Sequence, residues 1–118
     1  MQKELRLRKG QDFSLVYRLG QSWADNFLVL KALARDAECG HRFGFTVGKR
    51  TGNAVVRNTI KRRLRGIIRD TPVKNGWDMV LIARGRSKSA NYDQLKTSVR
   101  RLLMKADLLA VVSDSRKA

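Results

Sequence analysis

The sequence predicts an α+β domain: a sandwich in the order αβββαβα, with a small, mostly antiparallel four-stranded sheet packed against helices. Three observations carry that prediction. "RFGFTVGKR" alternates large apolar with small residues, and "NFLVLKALA" is rich in Leu and Val, so both read as strands. "WDMVLIAR" is apolar almost throughout, as a strand buried on both faces must be. "TGNAVVRNTIKRRLRGIIRD" and the segment after Asn91 instead space their apolar residues at the helical period. A chain of 118 residues that is 42% hydrophobic suits one domain over 1–118, with a modest core and short frayed tails.

The elements follow in order. "KGQDFSLVYRLG" opens the fold as a short helix, with Gln11 or Asp12 near its start and Gly20 as its stop. Phe13, Val16 and Tyr17 share one face of it. A short extra strand fits at "QSWAD". In "NFLVLKALA", Phe27, Val29, Lys31 and Leu33 point one way and Leu28, Leu30 and Ala32 the other. "RDAECGH" is a polar turn, so this strand and the next are expected to pair as a hairpin. In the next strand Phe43, Phe45 and Val47 share a face opposite Gly44, Thr46 and Gly48. The small-residue face admits a close neighbour, either a packed helix or a ligand backbone.

Gly52 and Asn53 supply a turn and a cap for the long basic helix, which Pro72 and Gly76 terminate. "RGRSKSA" is a basic loop after the apolar strand. Asn91 and Gln94 form a capping box for the last helix, whose buried stripe is Tyr92, Leu95, Val99, Leu102, Leu103 and Ala106.

Charge restricts the function. Lys and Arg total 26 against 10 Asp and Glu, a net charge of +16, far beyond what solubility needs. Such an excess favours a polyanionic partner. No apolar run is long enough to span a membrane, and the charged start "MQKELRLRKG" has no secretory h-region. Cys39 stands alone, which excludes an internal disulfide and fits a reducing cytoplasm. With His41 it cannot complete a tetrahedral zinc site, so no metal-ligating set is assigned.

The excess concentrates in "RNTIKRRLR", Arg57–Arg65. On a helical wheel Val56, Ile60, Leu64, Ile67 and Ile68 gather on one side. Arg57, Asn58, Lys61, Arg62, Arg65 and Arg69 gather opposite, along about 18 Å at 1.5 Å per residue. No acid follows until Asp70, so nothing within the helix offsets the repulsion between like charges. Arg offers bidentate donors for phosphates and base edges. Asn58, both donor and acceptor, suits a base edge or a sugar hydroxyl. Ala54, near the helix start, either lets a backbone come close or serves only as a good helix former. Three other classes compete with a structured-RNA partner. They are a ribosomal or other structural RNA-binding protein, a DNA-binding module with its helix in a major groove, and a membrane-surface helix.

"KRTGNAVVRNTIKRRLR", Lys49–Arg65, resembles the signature of the bacterial ribonuclease P protein component. That pattern is a small residue, then Arg-Asn, then Lys-Arg, then Arg, here Ala54, Arg57-Asn58, Lys61-Arg62 and Arg65. "LRLRKGQDFSLVYRLGQS", "FGFTVGKR" and "DMVLIARGR" are similar to the family's first helix and strands, so the likeness runs from Leu5 to about Leu109. The resemblance implies a left-handed βαβ crossover through the Arg-Asn helix, where the general rule expects a right-handed one. It implies an endoribonuclease that is a ribonucleoprotein. A catalytic RNA, using Mg2+, removes the 5′ leader of precursor tRNA, and one accessory protein per RNA binds no cofactor of its own. Arg57, Asn58, Lys61, Arg62 and Arg65 would contact the catalytic RNA. The leader would lie in a cleft formed by Phe13, Tyr17, Val29 and Lys31, with Lys49, Arg50 and Ala54 nearby. Lys31 stands where the family often has an aromatic, and would offer a phosphate contact instead of stacking. Phe13 reads equally as cleft wall or core. Arg84, Arg86 and Lys88 are either a further anionic contact or a solvated turn.

Overall fold

Trp77–Ala83 (β4) is the hub of the fold. Met79, Val80 and Leu81 are completely enclosed, which requires a partner strand on each edge and a packed layer on each face. The structure, a computed structural model, describes residues 6–7, 10–36, 38 and 40–110. β4 pairs antiparallel with β2 (Leu28–Ala34) and parallel with β3 (Arg42–Val47), while β1 (Gln21–Ala24) adds antiparallel to β2. The sheet order is β1-β2-β4-β3. Helices α1 (Gly10–Leu19), α2 (Ala54–Arg69) and α3 (Tyr92–Lys105) complete the expected αβββαβα order. The terminal tails and Cys39 lie outside the described residues.

The hairpin expected between β2 and β3 does not form, because β4 inserts between them. The segment joining β2 to β3 is long enough to step over one strand spacing, about 4.8 Å, so its polarity cannot dictate which neighbour is taken. A carboxylate helps decide it. Asp78 enters β4 beside Arg42 at the start of β3, and accepts from Arg42 Nε at 2.9 Å and Nη2 at 2.7 Å. Arg35, just past β2, reaches the same carboxylate at 3.4 Å. One buried acid thus ties together the ends of three strands.

Strand alternation sorts the two layers as the sequence anticipates. Leu28, Leu30, Ala32, Phe43, Met79 and Leu81 face α2 and α3, meeting Ile60, Leu64, Leu95 and Leu102 in the larger core. Each fully buried Leu or Ile there contributes about 1.5–3 kcal/mol. On the opposite face Val80, Leu33 and Ile82 lie under Leu7, Phe13 and Val16. The small-residue face of β3 serves this packing. A Cβ at Gly44 would stand 2.4 Å from Cζ of Phe13, so the ring fills the space a side chain would take.

The helix ends behave as read. Asn53 accepts from Val56 N–H at 3.0 Å, and Asn91 and Gln94 exchange both capping-box bonds. One residue of the α3 stripe differs. Tyr92 is 38% exposed, because at the first turn it lies over Gly66 of α2 at the surface instead of under the helix. Ser98 is buried in the stripe and donates to Asp25 Oδ2 at 2.6 Å.

Candidate nucleic-acid interface

α2 turns its apolar side inward at Ile60, Leu64, Ile67 and Ile68, with Val56 half-buried at the margin. That fixes the opposite side as a ridge. Asn58 and Arg62 are exposed, and Lys61 and Arg65 are half-buried. Arg57, expected opposite the apolar side, stands seven residues before Leu64, so it lies at the margin of that side and is half-buried. The Arg57 Nε is enclosed with no hydrogen-bond partner. Among the described residues, no carboxylate pairs with Arg57, Lys61, Arg62 or Arg65. Four of the described acids are committed elsewhere: Asp12 and Asp78 to Arg42, Asp25 to Arg101, and Asp107 to Lys74. Arg63, which the wheel places on the flank, donates from Nη1 to the Ala90 carbonyl at 2.9 Å and ties α2 to the segment before α3. Sequence reasoning did not find this structural role, and its only signal was that flank position.

A second surface lies on the other face of the sheet. Tyr17 is 39% exposed on α1, and its hydroxyl shares a 2.6 Å hydrogen bond with Thr46 Oγ1 of β3. Val29 and Lys31 of β2 are half-buried on the same face, and Lys31 Nζ donates to Ser22 Oγ of β1 at 2.7 Å. Phe13 packs beside Val16 and Val80 yet remains half-buried, so one side of its ring belongs to the core. Thr46, already placed on the small-residue face, joins this surface, and so do Ile82 and Ser22, which were not singled out. The alternation rule contained the signal for each, since all three share the face of Val29 and Lys31.

Lys49 and Arg50 are exposed on a single helical turn, Lys49–Thr51, and Ala54 is exposed at the first residue of α2. The structure gathers Arg50 with the basic loop. Arg50, Arg84, Arg86 and Lys88 line an open basin of about 600 Å³ together with Asn26. Arg84 is anchored there, donating to the Asp25 carbonyl at 3.0 Å.

Asp25 holds the β1–β2 turn against α3. Burial raises its pKa, but the Ser98 hydroxyl, the Leu28 and Phe27 N–H groups and the Arg101 guanidinium outweigh this and hold it below the usual carboxylate value. His41 sits edge-on to Phe43 with ring centroids 5.8 Å apart, and burial lowers its pKa.

A family model described as Ribonuclease P matches residues 1–107. The chain belongs to the ribonuclease P protein component family. The ribonuclease P protein component of Oceanobacillus iheyensis is 36% identical over 111 residues, 92% of each chain. That of Shouchella clausii is 34% identical over 119 residues, covering 99% of this chain and 98% of the other. The architecture agrees. The RNase P protein of Staphylococcus aureus matches with a TM-score of 0.80 at 32% identity, over 92% of this chain and 100% of that one. The RNase P protein of Thermotoga maritima matches at 0.74 and 27% identity, over 85% and 96%. Within this ribonuclease P protein family fold, the Arg-Asn helix and α1 pack on opposite faces of one sheet. No helix among the described residues is long and apolar enough to cross a membrane.

Proposed function

We propose that this chain is the accessory protein of a ribonuclease P whose catalytic part is RNA. It holds that RNA along α2 and grips the single-stranded 5′ leader of precursor tRNA beneath α1. It thereby supports endonucleolytic release of the leader at the mature tRNA 5′ end. The observation that carries this reading is the ridge of Arg57, Lys61, Arg62 and Arg65, which lacks carboxylate partners among the described residues. Left alone, such spacing costs a few tenths of a kcal/mol per like-charged pair. Phosphates reverse that sign and release counterions on binding. Asn58 sits within the ridge with both a donor and an acceptor for a base edge or a 2′-hydroxyl.

The leader reading is supported by an aromatic beside a basic group. The exposed side of Tyr17 offers a stacking face, worth about 1–3 kcal/mol per base. Lys31 offers a phosphate contact, exchanging its bond to Ser22 for a stronger charge-assisted one. Arg50, Arg84, Arg86 and Lys88 form a further anionic contact in the basin, with Lys49 and Ala54 at its approach.

Chemistry is left to the RNA. Asp78 is engaged by two guanidinium groups and Asp25 by hydroxyl, amide and guanidinium donors, so neither is poised as an acid or base. Mg2+ wants several oxygen ligands. The described residues contain no group of three His, Cys, Asp or Glu able to hold a metal. In this reading the metal ions belong to the RNA. One protein per RNA, working in the bacterial cytoplasm, completes it.

The test is cleavage of precursor tRNA by the cognate RNA at low Mg2+, with and without this chain. Stimulation is expected, and Arg65→Ala should weaken RNA affinity while secondary structure persists. Binding to the RNA without stimulation would reassign the chain to structural RNA binding. Equal affinity for duplex DNA and for the structured RNA would overturn the choice of partner.

A further inference from the structure

A pocket of about 120 Å³ opens at the outer edge of β3, where the ridge meets the sheet. Phe13, its ring pressed onto the Gly44 backbone, bounds it on the α1 side and Phe45 on the other. The Phe45 ring lies nearly parallel to Phe43, at 11° with centroids 6.3 Å apart, so one side of it is held in place. Leu7, Phe43 and the cations Arg6, Lys61 and Arg65 complete the lining, which contains no acid. None of these three cations has an ion-pair partner among the described residues.

The strand edge here is incompletely used. Leu7 N–H donates to the Phe43 carbonyl at 2.8 Å, within an isolated parallel bridge between Arg6 and Phe43. Among the described residues, nothing else pairs with this edge of β3. Backbone groups alternate along a strand, so Phe45, two residues on, turns its N–H and C=O to the same outer edge. A donor and an acceptor therefore stand side by side next to an aromatic ring and three cations. The volume is well below the ~300–1,000 Å³ that encloses a drug-sized ligand. It suits one planar ring system and excludes a stacked pair.

We propose that this pocket receives one unstacked nucleobase of the RNA held on the ridge. The base lies against Phe45, its polar edge meets the Phe45 backbone amide and carbonyl, and the flanking phosphates meet Arg6, Lys61 and Arg65. A bare anion would have no use for the aromatic wall, and a neutral apolar ligand none for three cations. The inference rests on the reading of α2 as an RNA-facing ridge, and names a subsite beside it.

The experiment measures affinity for the cognate structured RNA across a salt series, for the native chain and for Phe45→Leu, Phe45→Tyr and Arg62→Ala. Phe45→Leu should weaken binding about fivefold or more with an unchanged salt slope, because a stack is lost and no charge is. Phe45→Tyr, which keeps a ring, should bind like the native chain. Arg62→Ala should lower the slope by about one. If Arg62→Ala leaves slope and affinity unchanged, the ridge reading itself fails. If Arg62→Ala behaves as expected and folded Phe45→Leu binds within about twofold of native, the base pocket alone is refuted. Should Phe45→Leu lose its circular dichroism, the native chain decides by NMR titration with uridine 5′-monophosphate and with ribose 5-phosphate. Shifts at the Gly44 and Phe45 amides, with the mononucleotide binding about fivefold more tightly, support the proposal. Equal affinities would make the pocket a plain anion site and overturn it.

Discussion

Replacing Gly44 by alanine asks whether α1 is seated by an aromatic ring pressed onto bare backbone. The added Cβ would stand 2.4 Å from Cζ and 2.5 Å from Cε1 of Phe13, and 3.3 Å from the Leu7 Cβ. Carbon atoms settle at about 3.5–4.0 Å, so the ring must withdraw by about 1 Å or more. It has little room to do so, since Val16, one turn along the same helix, is fully buried in the same cluster as Val80. Overpacking of this kind costs about 1–3 kcal/mol. For a domain near this size each kcal/mol lowers Tm by about 4–8 °C, so thermal melts followed by circular dichroism should show a fall on the order of 10 °C. A second variant locates the cause. In a Phe13→Ala background the obstacle is gone, and Gly44→Ala should be close to neutral. The double-mutant cycle should therefore show a coupling of about 1 kcal/mol or more. If Gly44→Ala is neutral in the native chain, or its cost is the same with and without Phe13, the packing argument for α1 is wrong.

Other outcomes follow from the same geometry. Asp78→Asn removes the carboxylate that Arg35 and Arg42 share. Because those side chains remain 29% and 25% exposed, the loss should be about 1–3 kcal/mol in urea denaturation, less than for a wholly buried pair. Asp25 has a folded pKa below its ordinary value of 3.8, so the unfolded chain binds more protons in acid. Its stabilisation is complete above that value and disappears as pH falls through the lowered one; Asp25→Asn should flatten this acid limb of the urea midpoint. Tyr17→Phe should cost little affinity for a single-stranded RNA oligonucleotide, whereas Tyr17→Ala should cost about 1–3 kcal/mol by fluorescence anisotropy. Equal losses for the two variants would mean that the hydroxyl contact with Thr46, and not the ring, carries binding.

Much of this arrangement was legible in one sequence because it rests on local periodicity. The period of α2 separates Ile60 and Leu64 from Asn58, Arg62 and Arg65 without knowledge of any neighbour. The alternation within β2 sets Val29 and Lys31 on one face, and that within β3 sets Gly44 opposite Phe43, in the same way. Strand order is a different kind of information. Nothing local says that β4 should enter between β2 and β3, because the choice depends on a crossover through α2 and on Asp78 meeting Arg42 across 36 positions of sequence. Tyr92 shows the limit of the helical wheel, since a first-turn residue can have the right angle and still lie beyond the core. Arg63 shows another limit: it is chemically identical to its ridge neighbours, and only the distant Ala90 carbonyl gives it a structural task.

The two layers of apolar side chains on either side of the sheet also act as spacers. α1 and α2 rest on opposite faces, so whatever docks on one is kept from whatever docks on the other by a partition whose thickness the packed residues set. Grip and gauge can then vary independently: exchanging surface cations alters how firmly a ligand is held, while trimming Leu81 or Val80 would alter how far apart two ligands sit without touching either.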